Sequence, residues 1–518
     1  MGPLLTIADA VATHARLTPH KLAVRDSRRR LSYAEWDARA TRLAAGLLGL
    51  GLHKGDRVAV IAHNRLEWME IYAGMARAGL LVVPLNFRLS GPEIAYILGH
   101  AEVGAVIAGP GFCATVDGVR GDLALPAGRC IALDAADAAA GWLDYEVLLA
   151  GADTTIALPE VGPQNHCALM YTSGTTGRPK GAVRAHGGST LIALATALEM
   201  GFTRDDTALL VMPLCHANSL YFGTTFVHLG ASIVIDDSSS FDPEAVMKTL
   251  AEDRVTFTSL VPTHYIMMLS LPGEVKRRYD LSAVGKLMIS SAPARPDTKR
   301  GIMELFPNGQ LYELYGSTEA GWVTLLRPDE QLSKLGSVGR EWAGSGPIRL
   351  LDPERREVPD GDVGELFSRT AYVFDGYWRN PEKTAEALDG HWCSVGDMAR
   401  RDADGYIWLV DRKSNMIISG GENVYPSEVE CVIGQHPKVR DVAVVGVPHE
   451  KWGETPLAVV VLQPGFGATE AELRDWCRER LAGFKCPTRV VFADDSEMPR
   501  NATGKLLHRV LRQRFAGA

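Results

Sequence analysis

Short apolar runs alternate with helix-like stretches along much of the chain, and this alternation limits the possible folds more than any other feature. Apolar runs occur at 57–62, 80–84 and 231–235, and helix-like stretches occur at 66–78 and 243–253. Strands that alternate with helices at this spacing form α/β units with parallel sheets. We therefore predict a large α/β region in the N-terminal part of the chain.

The pattern changes around 345–412. Here strand-like runs at 347–351, 364–368 and 405–410 are separated by turn-rich sequences with Pro, Asp and Gly. Strands joined by such turns are typical of antiparallel structure. We predict a small β-barrel-like subdomain in this part of the chain.

A further segment of about a hundred residues follows Asp411–Ser414 and is long enough for a small independent α+β domain. Its predicted elements are a helix near 427–436, strands at 441–447 and 457–463, and a helix at 469–481. A chain of 518 residues is also longer than a single hydrophobic core usually supports. We predict an N-terminal domain at 1–411, a C-terminal domain at 412–518 and a hinge near 411–414.

Composition indicates an ordinary soluble globular protein, with 46% apolar and 22% charged residues. The formal net charge of -8 gives no electrostatic reason to expect nucleic acid or an anionic membrane as a partner. The eight cysteines are scattered, without metal-ligand spacing, which favours reduced thiols. With no basic, apolar leader and no apolar run of about 20 residues, we expect a cytoplasmic location.

The segment at 171–181 reads YTSGTTGRPKG and follows an apolar run. Glycines allow the backbone to turn its N–H groups toward an anion, hydroxyls add donors, and Lys180 adds a mobile positive charge. The sequence therefore predicts a loop that binds a polyphosphate. It is not a Walker A loop, because no Gly-Lys-Ser/Thr closes it.

This loop resembles the phosphate loop of the adenylate-forming superfamily, which includes acyl-CoA synthetases, aryl-CoA ligases, luciferases and nonribosomal peptide adenylation domains. Further segments resemble the superfamily's motifs in their order along the chain: MPLCHAN at 212–218, YELYGSTE at 312–319, SVGD at 394–397, DR at 411–412, IISGGEN at 417–423 and PRNATGK at 499–505. Their joint occurrence over essentially the whole chain makes the resemblance highly specific.

The resemblance implies a reaction in two steps. A carboxylate attacks the α-phosphorus of ATP and expels pyrophosphate, and coenzyme A then attacks the acyl-adenylate and releases AMP. Two anions must meet in the first step, so positive and hydrogen-bonding groups are needed to neutralise charge in the transition state. The implied substrates and cofactors are a carboxylic acid, ATP, Mg²⁺ and coenzyme A.

The resemblance also assigns site residues. The phosphates are assigned to the loop residues Thr172, Ser173, Gly174, Thr175, Thr176, Gly177 and Lys180. Nucleotide-binding roles are implied for Ala292, Pro293, Tyr315, Gly316, Asp397 and Arg412, with Tyr315 offering a face for adenine and Asp397 accepting the ribose hydroxyls. The carboxylate of Glu319 is assigned to Mg²⁺.

Catalytic roles are implied for Thr318 at the α-phosphate, for Glu319, and for His216, which lies beside the substrate carboxylate or gates its pocket. Lys505 is the adenylation lysine, whose mobile charge can reach both reacting anions. The resemblance further implies a mobile C-terminal domain. Its rotation withdraws Lys505 and brings Gly420 and Gly421 to the site as a pantetheine tunnel, with Trp452 at the coenzyme A site.

Three positions depart from the superfamily pattern. Ser414 stands where the hinge commonly has Asp or Lys, Ser291 stands where many relatives have glycine, and Thr488 stands where a basic residue often binds the coenzyme A phosphates. Two alternatives therefore stay open beside the coenzyme A ligase. The enzyme could stop at acyl-AMP or pass the acyl group to a carrier protein or partner, or the chain could be a catalytically silent nucleotide-binding protein.

The expected acid has an uncharged, apolar body, because no acidic residue follows the His216 motif to pair an α-ammonium group. Aryl, cinnamyl, medium-chain and alicyclic acids all fit an apolar pocket lined from 216–226, 260–265, 290–293 and 315–322. Apolar pockets discriminate by only ~1 to 3 kcal/mol per methylene, so composition does not choose among these acids. A monomer or a homodimer is expected.

Overall fold

The computed structural model describes residues 6–121, 123, 125, 127–134, 136, 141–172, 179–291, 294–420, 422–500 and 506–515. The chain divides into two compact units. The first unit comprises Met1–Pro347 and Ser368–Cys393, and the second comprises Ile348–Phe367 and Ser394–Ala518. This division into compact units does not test where the chain bends. The hinge near 411–414 and the domain boundary there stay predictions.

The bounds of the helices and strands follow in chain order. The described helices are α1 (Ile7–Leu17), α2 (Tyr33–Gly49), α3 (Glu67–Ala78), α4 (Gly91–His100), α5 (Cys113–Arg120), α6 (Tyr145–Ala150), α7 (His186–Met200), α8 (Ala217–Leu229), α9 (Pro243–Glu252), α10 (Pro262–Leu269), α11 (Gly273–Lys276), α12 (Pro296–Leu305), α13 (Pro381–Ala387), α14 (Pro426–Gly434), α15 (Glu470–Arg478) and α16 (His508–Phe515). The described strands are β1 (Leu22–Arg25), β2 (Arg30–Ser32), β3 (Arg57–Ile61), β4 (Leu81–Leu85), β5 (Val103–Ala108), β6 (Cys130–Ala132), β7 (Leu143–Asp144), β8 (His166–Thr172), β9 (Lys180–Ala185), β10 (Thr207–Leu210), β11 (Ser232–Ile235), β12 (Phe257–Leu260), β13 (Lys286–Ser290), β14 (Gln310–Ser317), β15 (Gly321–Leu326), β16 (Arg340–Glu341), β17 (Arg349–Leu351), β18 (Gly364–Phe367), β19 (Gly376–Tyr377), β20 (Leu388–Asp389), β21 (Trp392–Cys393), β22 (Asp397–Arg401), β23 (Ile407–Arg412), β24 (Ile417–Ser419), β25 (Glu422–Val424), β26 (Val439–His449), β27 (Gly453–Leu462) and β28 (Arg489–Phe492).

Two large sheets form the first unit. One has the strand order β16-β15-β14-β13-β12-β10-β11-β1-β2, and the other has the order β19-β9-β8-β4-β3-β5-β6-β7. The central pairs β10–β12, β12–β13 and β13–β14 of the first sheet, and β3–β4, β3–β5 and β4–β8 of the second, are parallel. The predicted α/β region with parallel sheets is confirmed.

Strand β3 shows why these apolar runs fold as central strands. Val58 and Val60 belong to a core shared with α1, α2, α3, α7 and α8, whereas Ala59 and Ile61 belong to a second core beneath α4 and α5. Successive side chains of a strand point to opposite faces of the sheet, so a strand covered on both faces must be apolar throughout. The continuous apolar run from Val58 to Ala62 therefore supplies apolar side chains to the cores on both faces of the sheet.

The second unit contains two sheets. The predicted antiparallel region is confirmed as a four-stranded sheet of order β17-β18-β22-β23, whose pairs are all antiparallel. The C-terminal sheet has the order β25-β24-β27-β26, and β28 pairs with β27. The four elements predicted for the C-terminal segment correspond to α14, β26, β27 and α15, and β24, β25, β28 and α16 are additional. None of the described helices is long and apolar enough to cross a membrane.

Candidate active site

The site lies where parallel strands of the nine-stranded sheet end. Strands β10, β12, β13 and β14 are neighbours with the same direction, so their carboxyl ends meet at one edge. We call this the carboxyl edge. Ligands of open α/β sheets bind at this type of edge. His216 follows β10, Ser291 follows β13, and Thr318 and Glu319 follow β14.

The predicted phosphate loop joins two antiparallel strands. Thr172 ends β8 and lies opposite Lys180, the first residue of β9. The hairpin therefore fixes both ends of the loop. Ser173, Gly174, Thr175, Thr176 and Gly177 lie outside the described residues, so their assignment to phosphates stays a prediction.

The hairpin meets Glu319, the last residue of the 312–319 motif, just after the end of β14. The Glu319 side chain is buried, and its Oε1 accepts hydrogen bonds from Thr172 Oγ1 at 3.2 Å and from the Tyr377 hydroxyl at 2.8 Å. Lys180 Nζ lies 4.1 Å from the centroid of the Tyr377 ring. The structure thus brings Glu319 to the hairpin residues Thr172 and Lys180, although Glu319 lies 147 residues beyond Thr172 in the sequence. Tyr377, which joins them, was not predicted from the sequence.

The carboxylate of Glu319 suits a magnesium ion shared with phosphates. Both of these hydrogen bonds reach Oε1, so within the described residues Oε2 is the oxygen left for a cation. In the part of the chain that the structure describes, no three His, Cys, Asp or Glu side chains are grouped to hold a metal. Mg²⁺ is usually bound through one or two carboxylates together with substrate phosphates and water. The donor set around Glu319 fits that preference.

Arg184 holds the Glu319 turn against the phosphate-loop hairpin. Its side chain is 1% exposed. Nη1 donates to the carbonyl oxygens of Thr318 at 3.3 Å and Glu319 at 3.1 Å, and Nη2 donates to Tyr372 O at 2.7 Å. Sequence reasoning missed this residue. The available signal was a charged residue within the short apolar strand β9.

Glycines shape the turn after β14. A Cβ added to Gly316 would lie 2.4 Å from Gly321 O, so a side chain there would push the two strands apart. The register between β14 and β15 shifts between Tyr315 and Gly316, and Tyr315 lies opposite Thr324. The close approach of β14 and β15 at this point requires glycine at 316. This approach in turn supports the turn that carries Thr318 and Glu319.

The backbone at Ser291 explains why the resemblance leads us to expect glycine at this position. Ser291 has φ = +70°, in the left-handed region that a residue with a Cβ enters only at an energetic cost. Ala292 and Pro293 lie outside the described residues. Their role near adenine stays a prediction.

His216 is the N-cap residue of α8 at the carboxyl edge, and its side chain makes no capping hydrogen bond. Its Nε2 lies 3.4 Å from Asn86 Nδ2. Burial, assisted by the positive charge of Arg88, lowers the pKa of His216 to about 4. The imidazole is therefore neutral near pH 7 and is suited to hydrogen bonding beside a substrate carboxylate rather than to ion pairing.

Four histidines with lowered pKa values should make the fold sensitive to acid. Burial lowers the pKa values of His186, His216, His228 and His264 to about 4. In the unfolded chain these groups have a pKa near 6.5, so the unfolded state binds more protons between about pH 6.5 and 4. We expect the free energy of unfolding to fall as the pH falls through this window, by up to about 1.4 kcal/mol per histidine per pH unit.

Denaturant titrations at pH 7, 6, 5 and 4.5 measure this slope. Replacing His264 with glutamine should reduce the slope, whereas replacing His53, whose side chain is 85% exposed, should not. An unfolding free energy that rises or stays level from pH 6.5 to 5 would contradict the expectation.

The second unit carries the remaining assigned residues. Asp397 and Arg412 lie opposite each other in β22 and β23, and Arg412 Nε is 3.0 Å from Asp397 Oδ1. Gly420 has φ = +61°, its N–H donates to Trp452 O at 2.8 Å, and an added Cβ would lie 2.8 Å from the Trp452 ring. Gly421 and Lys505 lie outside the described residues.

A cavity of about 280 Å³ lies beside Gly420 and Trp452. It is also lined by Phe484 and by Thr488, whose Oγ1 accepts a hydrogen bond from Thr455 Oγ1 at 3.2 Å. The second unit thus brings Gly420, Trp452 and Thr488 to one concave surface.

Comparison with known proteins places these features in a family. Residues 11–378 match the family model described as AMP-binding enzyme, and residues 428–505 match the AMP-binding enzyme C-terminal domain. The chain is 39% identical over 506 residues to a feruloyl-CoA synthase from Amycolatopsis sp., covering 97% of each chain. It is 35% identical over 516 residues to the indoleacetate–CoA ligase of Aromatoleum aromaticum, covering 99% of this chain and 98% of the relative.

Solved structures give the same result. ATP-bound MatB from Rhodopseudomonas palustris matches with a TM-score of 0.86 and 31% identity, over 99% of each chain. The anthranilate CoA ligase AuaEII in complex with anthranoyl-AMP matches with a TM-score of 0.87 and 26% identity, over 99% of this chain and 98% of that one. The chain therefore belongs to the AMP-binding enzyme family of the adenylate-forming superfamily, among its members that resemble acyl-CoA synthetases and aryl-CoA ligases.

Proposed function

We propose that this enzyme, an ATP-dependent carboxylic acid:CoA ligase, acts on an acid with an uncharged, apolar body. It converts the acid and ATP into acyl-adenylate and pyrophosphate, and then forms the coenzyme A thioester with release of AMP. The observation that carries the proposal is the convergence of Thr172, Lys180 and Glu319 at the carboxyl edge. This arrangement supplies a hydroxyl, a positive charge and a carboxylate in the small space that a triphosphate with a cation would occupy.

In the adenylation step, we assign charge neutralisation to the residues around the hairpin. Lys180 and Thr172 bind the β- and γ-phosphates, and Glu319 would hold the Mg²⁺ that screens them. Thr318 donates to the α-phosphate, and the neutral His216 orients the attacking carboxylate. Preorganised donors of this kind lower the barrier because they do not reorganise during the reaction. The buried Arg184 supports the step indirectly, since it holds the backbone of Thr318 and Glu319.

The acid substrate is proposed to be aromatic. The residues of α8 that follow His216 are apolar and buried at Leu220, Tyr221 and Phe222, and no carboxylate lies among 217–226 to pair an ammonium group. The relatives named feruloyl-CoA synthase and indoleacetate–CoA ligase are 39% and 35% identical to this chain and support an aryl acid, whereas the long-chain-fatty-acid–CoA ligase FadD13 is 34% identical. The bulk of an aromatic ring would also bury much apolar area.

In the thioester step, we assign Gly420 and Gly421 to the pantetheine arm and Trp452 to coenzyme A. Replacing Gly421 with leucine should slow coenzyme A transfer about tenfold or more while adenylation changes little, because a side chain would narrow the passage for pantetheine. Pyrophosphate exchange measures adenylation, and thioester formation from preformed acyl-AMP measures transfer. Gly467→Leu is the matched control, since Gly467 is exposed and no atom lies within 4 Å of its added Cβ. Equal loss in both assays would contradict the assignment.

The deciding experiment measures release of pyrophosphate and AMP from ATP with a panel of aryl, cinnamyl, medium-chain and alicyclic acids, each with and without coenzyme A. We expect AMP release that depends on coenzyme A, with the highest kcat/KM for an aryl acid. Pyrophosphate release without stimulation by coenzyme A would favour an enzyme that stops at acyl-AMP or uses another acceptor. The absence of turnover across the panel would favour a silent nucleotide-binding protein.

A further inference from the structure

A side chain outside every sequence motif joins the two charged groups that are assigned to the triphosphate and its cation. Tyr377 is the last residue of the short strand β19, which pairs antiparallel with β9 and places Tyr377 opposite Ala182. Its hydroxyl donates to Glu319 Oε1 at 2.8 Å, and Lys180 Nζ lies 4.1 Å from the centroid of its ring. One side chain therefore contacts a carboxylate at its hydroxyl and an ammonium group at its ring.

The surrounding segment fixes the position of Tyr377. The residue is 6% exposed, and its ring contacts the ring of Phe374 with a centroid distance of 4.9 Å. Its backbone N–H donates to Thr384 Oγ1 at 2.9 Å, and Thr384 Oγ1 donates to Asn380 O at 2.8 Å. These contacts lie within residues 374–384, so they hold Tyr377 without help from the phosphate loop.

The Glu319 carboxylate differs from another buried carboxylate that a tyrosine contacts. Glu70 accepts from the Tyr145 hydroxyl at 2.9 Å and also pairs with Arg39 at 2.6 Å. Glu319 is buried as well, but within the described residues its carboxylate accepts only from two neutral hydroxyls. Buried charges are normally paired with an opposite charge or a metal. The Glu319 carboxylate is thus held by neutral donors and keeps its charge for a cation that arrives with the substrate.

The chemistry of tyrosine suits both contacts. The face of the ring attracts an ammonium group, and the hydroxyl donates to a carboxylate. Without Tyr377, the attraction between Lys180 and Glu319 would favour an ion pair between them, and the two groups would neutralise each other before the triphosphate binds. The contact of an ammonium with a ring is weaker than an ion pair with phosphate, so Lys180 can leave the ring when a phosphate is present.

We infer that Tyr377 is a positioning residue for adenylation, whose hydroxyl orients the Glu319 carboxylate for the cation and whose ring holds Lys180 beside the phosphate site without neutralising it. This inference rests on the proposed function. Tyr377 acts through Lys180 and Glu319 rather than on the reacting groups.

Calorimetric titration of the enzyme with ATP, with no acid present and in either Mg²⁺ or EDTA, measures the two effects without turnover. Tyr377→Phe removes the hydroxyl and keeps the ring. It should lower the affinity for ATP in Mg²⁺ by about tenfold, because a group that orients a metal ligand is lost, and leave the affinity in EDTA unchanged. Tyr377→Leu removes both contacts and should also lower the affinity in EDTA by about threefold or more.

Steady-state kinetics separate positioning from a general loss of structure. In both variants, the KM for ATP and the Mg²⁺ concentration for half-maximal pyrophosphate release should rise. The KM for the acid should change little, and so should the rate of thioester formation from preformed acyl-AMP, because no triphosphate is bound in that step.

Tyr145→Phe is the matched control. It removes a buried hydroxyl that also donates to a carboxylate, that of Glu70, where α6 packs near α3. It should lower the free energy of unfolding about as much as Tyr377→Phe but leave the Mg²⁺ dependence of ATP binding at the wild-type value. If Tyr377→Leu does not fold, Tyr377→Met, which keeps more of the side-chain volume, takes its place.

The outcomes distinguish the inference from the proposed function. Wild-type affinity of Tyr377→Phe for ATP in Mg²⁺, an equal loss of its affinity in Mg²⁺ and in EDTA, or the same loss in Tyr145→Phe would each overturn the inference alone. Wild-type affinity of Tyr377→Leu in EDTA would overturn the role of the ring in holding Lys180. If the wild-type enzyme binds ATP under neither condition, the proposed function fails and the inference with it.

Discussion

Replacing Lys505 with alanine should reduce acyl-adenylate formation by about 10²- to 10³-fold and leave thioester formation from preformed acyl-AMP close to the wild-type rate. The ammonium group is assigned to the charge that develops between the attacking carboxylate and the α-phosphate. Removing one preorganised donor from such a transition state typically costs this much. In the second half-reaction the nucleophile is the thiol of coenzyme A. The C-terminal rotation proposed from the family resemblance withdraws Lys505 before this half-reaction begins.

Two assays measure the half-reactions separately. Pyrophosphate exchange reports adenylation, and coenzyme A thioester formation from synthetic acyl-AMP reports transfer. Lys248→Ala is the matched control, because its ammonium group lies on the exposed face of α9. If Lys505→Ala slows both half-reactions equally, the proposed alternation of the C-terminal domain is wrong. If it slows neither, Lys505 has no part in the chemistry.

Replacing Glu319 with glutamine should lower kcat/KM for adenylation by about 10²-fold and raise the Mg²⁺ concentration needed for half-maximal rate. Glutamine keeps the size of the side chain and an oxygen that can accept from Thr172 and Tyr377, so the local structure should persist. The substitution removes the negative charge, which is the main attraction for a hard cation. The variant should therefore lose affinity for Mg²⁺ and compensation of the phosphate charges, but it should still fold.

Titration of Mg²⁺ in the pyrophosphate-exchange assay tests this expectation. The matched control is Glu382→Gln, which removes the same charge from an exposed position in the first turn of α13. Unchanged Mg²⁺ dependence with reduced activity would assign Glu319 a purely structural role. Thioester formation from preformed acyl-AMP should be little affected, because no triphosphate is bound in that step.

Features that depend on neighbouring residues were predictable from the sequence. The alternation of short apolar runs with helix-like stretches, together with the turn-rich sequences, predicted the α/β region, the antiparallel region and the main C-terminal elements, all of which the fold contains. The phosphate loop was recognisable because its glycines, hydroxyls and lysine lie within one short segment. The order of the motifs led to the family, which the comparisons establish.

Residues that act through distant contacts were not predictable in the same way. Arg184 is important because the carbonyl oxygens of Thr318, Glu319 and Tyr372 surround its guanidinium, and Tyr377 because its hydroxyl meets Glu319. Neither residue stands in one of the sequence motifs, and the charge of Arg184 within an apolar strand does not by itself show which groups it binds.

The sequence by itself determined the fold class, the family and the segments that carry the chemistry, because apolar runs, turn residues and short motifs are local properties. Only the tertiary structure decided which of those segments meet, since side-chain hydrogen bonds from Thr172 and Arg184 join the β8–β9 hairpin to the turn after β14, which is far away in the sequence. Burial then set the properties of the groups there, including the neutral state of His216. Desolvation and hydrogen bonding depend on the whole packed environment, which no single segment of sequence contains.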